Sequence, residues 1–245
     1  MTLSLAHLNN KIILVTGASD GIGKHASLSF AKQGATVILL GRTARKLEQV
    51  YDEIVQNGGA TPAIIPLDLA QTSLEQHEDI ADKIQQEFGR LDGLLHNAAI
   101  LGQLAPFTEI SSQEFNEVMQ VNLNSQFFMT QAFIPLLLKA DHGSTVFTTS
   151  GVGNKGRAFW GSYCISKFAT EGMMQLLADE YENRSLRFNC INPGATRTNM
   201  RAKAFPGEVA AQVTRPEDIM HCYHYLMSDE SIGKTGQTYQ AQPKN

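Results

Sequence analysis

Tyr163 and Lys167, in Tyr163-Cys164-Ile165-Ser166-Lys167, are spaced by one helical turn, so on a helix they share a face. Ser150 supplies a hydroxyl upstream. A free tyrosine ionises near pH ~10, and a neighbouring cation favours the phenolate. Phenol, ammonium and hydroxyl together could move a proton on or off an alcohol oxygen near neutral pH. The spacing alone does not demand that chemistry. A half-buried Tyr beside a solvated Lys gives the same pattern, and a Ser closing a strand can serve as a turn or cap.

A second group of residues points to a nucleotide. Thr16-Gly17-Ala18-Ser19-Asp20-Gly21-Ile22-Gly23 follows a short apolar run and opens an amphipathic one. Gly17 permits a tight turn, Gly21 lets backbone approach a pyrophosphate, and Gly23 lets helix and strand pack closely. A helix N-terminus then faces the phosphates. An acid at the end of the second strand would bind ribose hydroxyls and repel a 2′-phosphate. The sequence there is Leu40-Gly41-Arg42-Thr43, with no acid and a base. Arg42 can bond a phosphate and stack on adenine, so NADP(H) is favoured, with NAD(H) possible. Asp20 is a contrary sign, since a base at that position would have supported the phosphate.

Positioning these groups requires a scaffold, and strand-like and helix-like runs alternate along the chain. Strands are expected at 12–15, 36–40, 63–67, 93–96, 145–149, 186–191 and 237–240. Helices are expected at 22–33, 44–56, 72–88, 112–140 (bent near Pro135), 162–182 and 216–227. Gly34 is the expected cap of the first helix. Residues 192–214 form the only long irregular stretch. Repeated β-α units imply parallel strands with helices on both faces: an α/β, doubly wound sheet of about seven strands. No linker, repeat or low-complexity tract appears, so residues 1–245 read as one domain.

Composition narrows the class further. A chain of 245 residues, 42% hydrophobic, can bury a sizeable core, and a net charge of −4 gives no nucleic-acid footprint. No run of about 18 apolar residues suggests a membrane span. Residues 1–10 lack the cationic and apolar segments of a signal peptide. Three cysteines, Cys164, Cys190 and Cys222, form no metal or disulfide pattern, so no metal is expected and a reducing, cytoplasmic compartment is.

The glycine motif, Asn97-Ala98-Ala99, Asn122, Ser150, Tyr163, Lys167 and Asn192-Pro193-Gly194 occur in that order. Together they resemble the short-chain dehydrogenase/reductase family over nearly the whole chain, in its shorter branch rather than the extended, epimerase-like one. Residues 14–23, 153–160, 168–181, 189–200 and Ala241-Gln242-Pro243 resemble the bacterial YciK-type oxidoreductases more closely still.

The resemblance implies a Rossmann-type fold and a role for each matching position. Asp68 would bond the adenine amino group, and Leu69 would supply the next backbone amide. Asn97 would steady the sheet and line the adenine ribose, with Ala98 and Ala99 beside it. Asn122 would kink its helix and anchor a water in a proton relay. Pro193, Gly194, Thr196 and Thr198 would hold the nicotinamide end. His96-Asn97-Ala98-Ala99 departs from the commoner N-N-A-G, placing a methyl group where glycine usually sits.

In the implied reaction Tyr163 is the acid or base and Ser150 orients the oxygen. Lys167 would lower the Tyr163 pKa and bind ribose hydroxyls. The substrate would be a small carbonyl or alcohol, in a pocket where 100–103, 151–160 and 196–205 converge. Phe159 and Trp160 could wall it or belong to the core or a subunit contact. Arg157, Arg197, Arg201 and Lys203 could attract an anionic substrate or form a solvated face. Residues 195–210 are short for a lid. A homodimer or homotetramer would form through the helices beginning near 112 and 162. Other readings are a cofactor-binding regulator without turnover, a sugar-nucleotide epimerase and a methyltransferase. The last leaves the Tyr-Lys pair unexplained, and the length leaves little room for the epimerase's extra region.

Overall fold

Short apolar runs between glycines and polar residues make strands that need cover on both faces. In the computed structural model, which describes residues 8–243, these runs become seven strands. They are β1 (Ile12–Thr16), β2 (Thr36–Gly41), β3 (Ala63–Pro66), β4 (Gly93–His96), β5 (Gly143–Thr148), β6 (Leu186–Asn192) and β7 (Thr238–Gln240). The sheet order is β3-β2-β1-β4-β5-β6-β7, and every neighbouring pair is parallel. The first seven residues of the 1–10 segment lie outside the described residues.

The helices are α1 (Gly21–Lys32), α2 (Ala44–Gln56), α3 (Leu74–Phe88), α4 (Ser112–Met119), α5 (Ser125–Leu137), α6 (Gly161–Glu180), α7 (Asn199–Ala204) and α8 (Met220–Met227). Alternation along β1 shows how they cover the sheet. Ile13 and Val15 pack with side chains of α1, α2 and α8, whereas Ile12 and Leu14 pack with α3, α5 and α6. From β1 the strand order runs outward through β2 and β3, and from β4 it runs the other way. The loops after β1 and β4 therefore part at their carboxyl ends and leave a crevice, where open α/β sheets bind ligands.

Two expectations are corrected by the structure. The run 112–140 is not one helix: a π-helical turn, Gln120–Asn124, separates α4 from α5. Its wider winding turns Asn122 inward, and that side chain's hydrogen bonds compensate for the irregular turn. Pro135 stands in the last turn of α5, which ends at Leu137 rather than reaching residue 140. The irregular stretch 192–214 holds α7, whose N-terminus is capped by Thr198 Oγ1 accepting from Arg201 N at 3.1 Å. Among the described residues no helix is long and apolar enough to cross a membrane.

Candidate active site

The crevice is a cleft of about 450 Å³ at the carboxyl ends of the strands. Thr16, the last residue of β1, is buried behind the cleft lining. Its Oγ1 accepts from Asn97 N at 2.9 Å and Ala98 N at 3.0 Å, pinning the ends of β1 and β4 together. Asn97 Nδ2 returns a bond to Thr16 O at 3.3 Å. Above this fork the glycine loop has no spare room. Gly17 has φ +67°, and a Cβ there would lie 3.0 Å from Ala98 Cα. A Cβ on Gly23 would collide with the Gly17 carbonyl oxygen. Among the residues expected to bind cofactor, Gly23 alone does not line the cleft; its part is this close packing of α1 on β1.

Tyr163 and Lys167 project from the first turns of α6, and Ser150 follows β5, so the expected trio meets in the cleft. Tyr163 is 8% exposed and Lys167 1%. Lys167 Nζ donates to Thr148 O at 2.8 Å and stands 5.5 Å from the Tyr163 ring centroid. Burial pushes Tyr163 up to about 12, with the Ser150 hydroxyl pulling the other way. Burial also brings Lys167 down to about 8. The expected lowering of the Tyr163 pKa by Lys167 is thus not what the protein alone gives. Desolvation dominates, and Tyr163 is a neutral phenol near pH 7, a proton donor. Ser150 Oγ accepts from Val152 N at 3.4 Å, so it does cap a turn, and its proton remains to be donated.

Asn122 stands behind the cleft rather than in its lining. Its Oδ1 accepts from Ile100 N at 2.8 Å, and its Nδ2 donates to Ile100 O at 2.9 Å and Ser166 Oγ at 3.1 Å. Ser166 Oγ in turn donates to Tyr163 O at 2.8 Å. The loop after β4, the π turn and α6 are tied by this chain. Both amide protons are committed, leaving at most one Oδ1 lone pair for the expected water.

The distant arm of the cleft is basic. Arg42 lines it and has no ion pair among the described residues. Lys46, one turn into α2, lines it too. Asp20 accepts from Gly21 N at 2.7 Å and from Asn199 Nδ2 at 2.8 Å, with Lys46 Nζ at 3.9 Å. Its carboxylate is occupied, which answers the contrary sign read from the sequence. Asp68 accepts from Ala70 N at 3.1 Å beside Leu69, at the edge of the cleft. Ser19, Ile22, Ala98, Ala99, Pro193, Gly194, Thr196 and Thr198 complete the expected lining. Ala99 does not have positive φ, so its methyl group is accepted without backbone strain. His96 is buried, stacks on Phe147 at 4.9 Å and meets Thr130 Oγ1 at 2.9 Å.

The short chain dehydrogenase family model matches residues 11–209. The chain belongs to the short-chain dehydrogenase family. This dehydrogenase is 56% identical over 236 residues to the uncharacterized oxidoreductase YciK of Escherichia coli K12, covering 96% of this chain and 93% of that one. A short chain dehydrogenase of Shigella flexneri 2a complexed with NADP superposes with TM-score 0.95 at 54% identity, covering 98% and 100% of the two chains. One from Escherichia coli CFT073 complexed with NADPH has TM-score 0.96 at 54% identity, again covering 98% and 100%.

Some residues of the dehydrogenase's site escaped the sequence reading. Thr16 was read only as the start of the glycine motif. Lys46 was a helix charge like any other, although its place one turn after Arg42 was a usable signal. Gln242 lay in a singled-out stretch, yet its partners Pro193, Ala195 and Thr214 are distant in sequence. The expected basic cluster does not form one anion site. Arg197 reaches Val213 O at 3.4 Å, Arg201 pairs with Glu208, and Lys203 and Arg157 do not line the cleft. Of the three segments expected to converge, Ile100 and Leu101, Trp160, and most of 196–205 do so, while Gly102, Gln103 and 151–159 stay outside.

Proposed function

We propose that this dehydrogenase is an NADP(H)-dependent oxidoreductase interconverting a carbonyl and an alcohol, with Tyr163 as acid and base. The observation that carries the reading is Ser150, Tyr163 and Lys167 meeting in the cleft that the glycine loop and Arg42 also line. The NADP and NADPH complexes of the similar chains support the cofactor. Arg42 and Lys46 would take its 2′-phosphate; with no carboxylate at 41–43, NAD(H) is the poorer fit. Bound in the cleft, the nicotinamide supplies or accepts the hydride.

The chain's own residues do the rest. In reduction the substrate carbon gains hydride while its oxygen takes the Tyr163 proton, which solvent then replaces. Ser150 donates to the same oxygen and fixes its direction. Lys167 spends one proton on Thr148 O, leaving two for ribose hydroxyls. Acid–base action of this kind is worth roughly 10²–10⁴-fold. The dehydrogenase would act in the cytoplasm, in keeping with three free thiols, as a homodimer or homotetramer. Exposed Phe127 of α5 and Phe168 and Leu176 of α6 supply apolar surface for that contact.

NADPH consumption against a carbonyl panel, with Tyr163→Phe beside the unaltered protein, tests the reading. Turnover lost in the variant while NADPH still binds is the expected result. Turnover that survives the substitution removes Tyr163 from the mechanism. Tight NADPH binding without turnover on any carbonyl leaves a cofactor-binding regulator instead.

A further inference from the structure

We propose that the substrate end of the cleft selects an uncharged, ring-bearing carbonyl or alcohol, read by Trp160 and Phe205. The inference rests on the carbonyl–alcohol reading above and adds the substrate class. From Tyr163 outward the wall is aromatic. The Trp160 ring centroid is 5.9 Å from that of Tyr163 and 5.8 Å from that of Phe205, distances at which rings pack favourably. Ile100, Leu101, Met200 and Ala204 close the same end. A flat ring attached to the reacting carbon would extend this row and bury its faces against carbon. Most polar side chains nearby are already assigned, and Glu117, which also lines the cleft, would repel an anion. Ser150 and Tyr163 serve the reacting oxygen, and Asn192 is held by Gln240 Oε1 and Gly194 N. A polyhydroxylated substrate would leave most of its hydroxyls without partners.

The cations beside the wall are turned to the rings rather than to the cleft. Arg201 makes two 2.7 Å bonds to the Glu208 carboxylate while its Cζ lies 3.7 Å from the Phe205 ring centroid. The Arg157 Cζ stands 5.6 Å from the Trp160 centroid and 5.4 Å from that of Phe205. An anionic group entering here would have to displace Glu208 from Arg201, reach past the rings to Arg157 outside the cleft lining, or lie against apolar side chains. Backbone strain adds an independent sign that Trp160 is aimed on purpose. Phe159 has φ +72°, a conformation costly for a bulky residue, and is held there by Ala105 N donating to its carbonyl at 3.1 Å. The turn leaves the Phe159 side chain 61% exposed and places Trp160 in the cleft lining.

Trp160 is the only tryptophan in the chain, so its emission reports occupancy of this end whether or not turnover occurs. Two arms make the test. In the first, NADPH oxidation is compared for acetophenone, 4-acetylbenzoate and glyceraldehyde. Acetophenone should lead in kcat/KM by about tenfold or more, and Trp160→Ala and Phe205→Ala should each raise its KM by a similar factor, with Trp160→Phe restoring much of it. In the second, the NADP⁺-loaded protein is titrated with 1-phenylethanol and with 4-(1-hydroxyethyl)benzoate while Trp160 emission is followed. A response to the first alcohol alone supports the proposal even if no carbonyl is turned over, in which case only the reductase reading fails. Preference for the carboxylate or the sugar, no effect of either alanine variant on a measurable KM, or no Trp160 response to 1-phenylethanol overturns it.

Discussion

Asn199 Nδ2 donates a 2.8 Å hydrogen bond to Asp20 Oδ2, joining α7 to the loop that opens α1. Both residues line the cleft, and the same carboxylate caps α1 through Gly21 N. Asp20→Ala should therefore do two things. Thermal stability should fall by about 1 kcal/mol for the lost cap. NADPH should dissociate several-fold faster, because the latch over the cleft is gone. Stopped-flow displacement of NADPH measures this; an unchanged off-rate with a lowered Tm would reduce Asp20 to a cap.

Arg42 and Lys46 should set the choice of cofactor. Arg42→Asp removes a phosphate partner and adds a ribose partner, so the NADPH/NADH ratio of kcat/KM should drop by about 100-fold or more, and Lys46→Ala should lower it about tenfold. Initial rates with the two cofactors decide the matter. A ratio indifferent to both substitutions would place the selector elsewhere.

The pH profile follows from burial. Around neutrality Lys167, held down to about 8, is largely protonated, and Tyr163, held up to about 12, is a phenol. As pH rises through about 8, Lys167 loses its charge before Tyr163 loses its proton. For reduction, kcat/KM reports the free protein's groups, so it should be level near pH 7 and decline above about 8. A profile that climbs through that range would contradict the assignment.

Acid should unfold the protein through its buried histidines. Burial pushes His77 to about 4, His96 to about 3 and His224 to about 4, from 6.5. The unfolded chain binds these protons near 6.5 and the folded chain only below about 4, so the unfolded state carries more protons in between. Their contribution is complete above about 6.5 and is lost as pH falls towards 4. Denaturant midpoints measured across that range should fall steadily. His224→Gln, which keeps a polar partner for Ser29, should flatten the slope.

Gln242 should matter to cofactor binding despite its distance from the catalytic trio. Its Nε2 donates to Pro193 O and Ala195 O, both at 2.8 Å, and its Oε1 accepts from Thr214 Oγ1 at 2.9 Å. Gln242→Ala would free the 193–196 loop, and ordering that loop again on binding should weaken NADPH affinity about tenfold. Gln242→Glu should be no better, since it sets a carboxylate against two carbonyl oxygens. Fluorescence titration of both variants gives the answer; unchanged affinity in each would show a loop rigid without this side chain.

What could be read from the sequence was what local pattern dictates. The run Ile12–Val15 became a strand because β-branched, continuously apolar segments fit a sheet covered on both faces, and 44–56 became α2 because its apolar positions recur with helical spacing. The trio at 150, 163 and 167 was legible because two of its members share one helix face. The kink at Asn122 was implied only by the family resemblance; its bonds go to Ile100 and Ser166, and no local pattern in Val121-Asn122-Leu123 announces them. The raised Tyr163 pKa was not legible for a related reason. Charge proximity shows in the sequence, whereas desolvation depends on what packs around the ring. Gln242 and Asp20 likewise acquire their roles from partners that only folding supplies.

Asn122 gives Ile100 the same pair of bonds that a neighbouring peptide unit would give it in a sheet. With its N–H and C=O both held by one carboxamide, Ile100 is paired as a sheet residue would be, four residues beyond the end of β4. In hydrogen–deuterium exchange the Ile100 amide should exchange with the slow core, although it lies in a loop. If the cleft widens to admit a ligand, this wall stays with the scaffold, and the opening movement belongs to the side that carries α7.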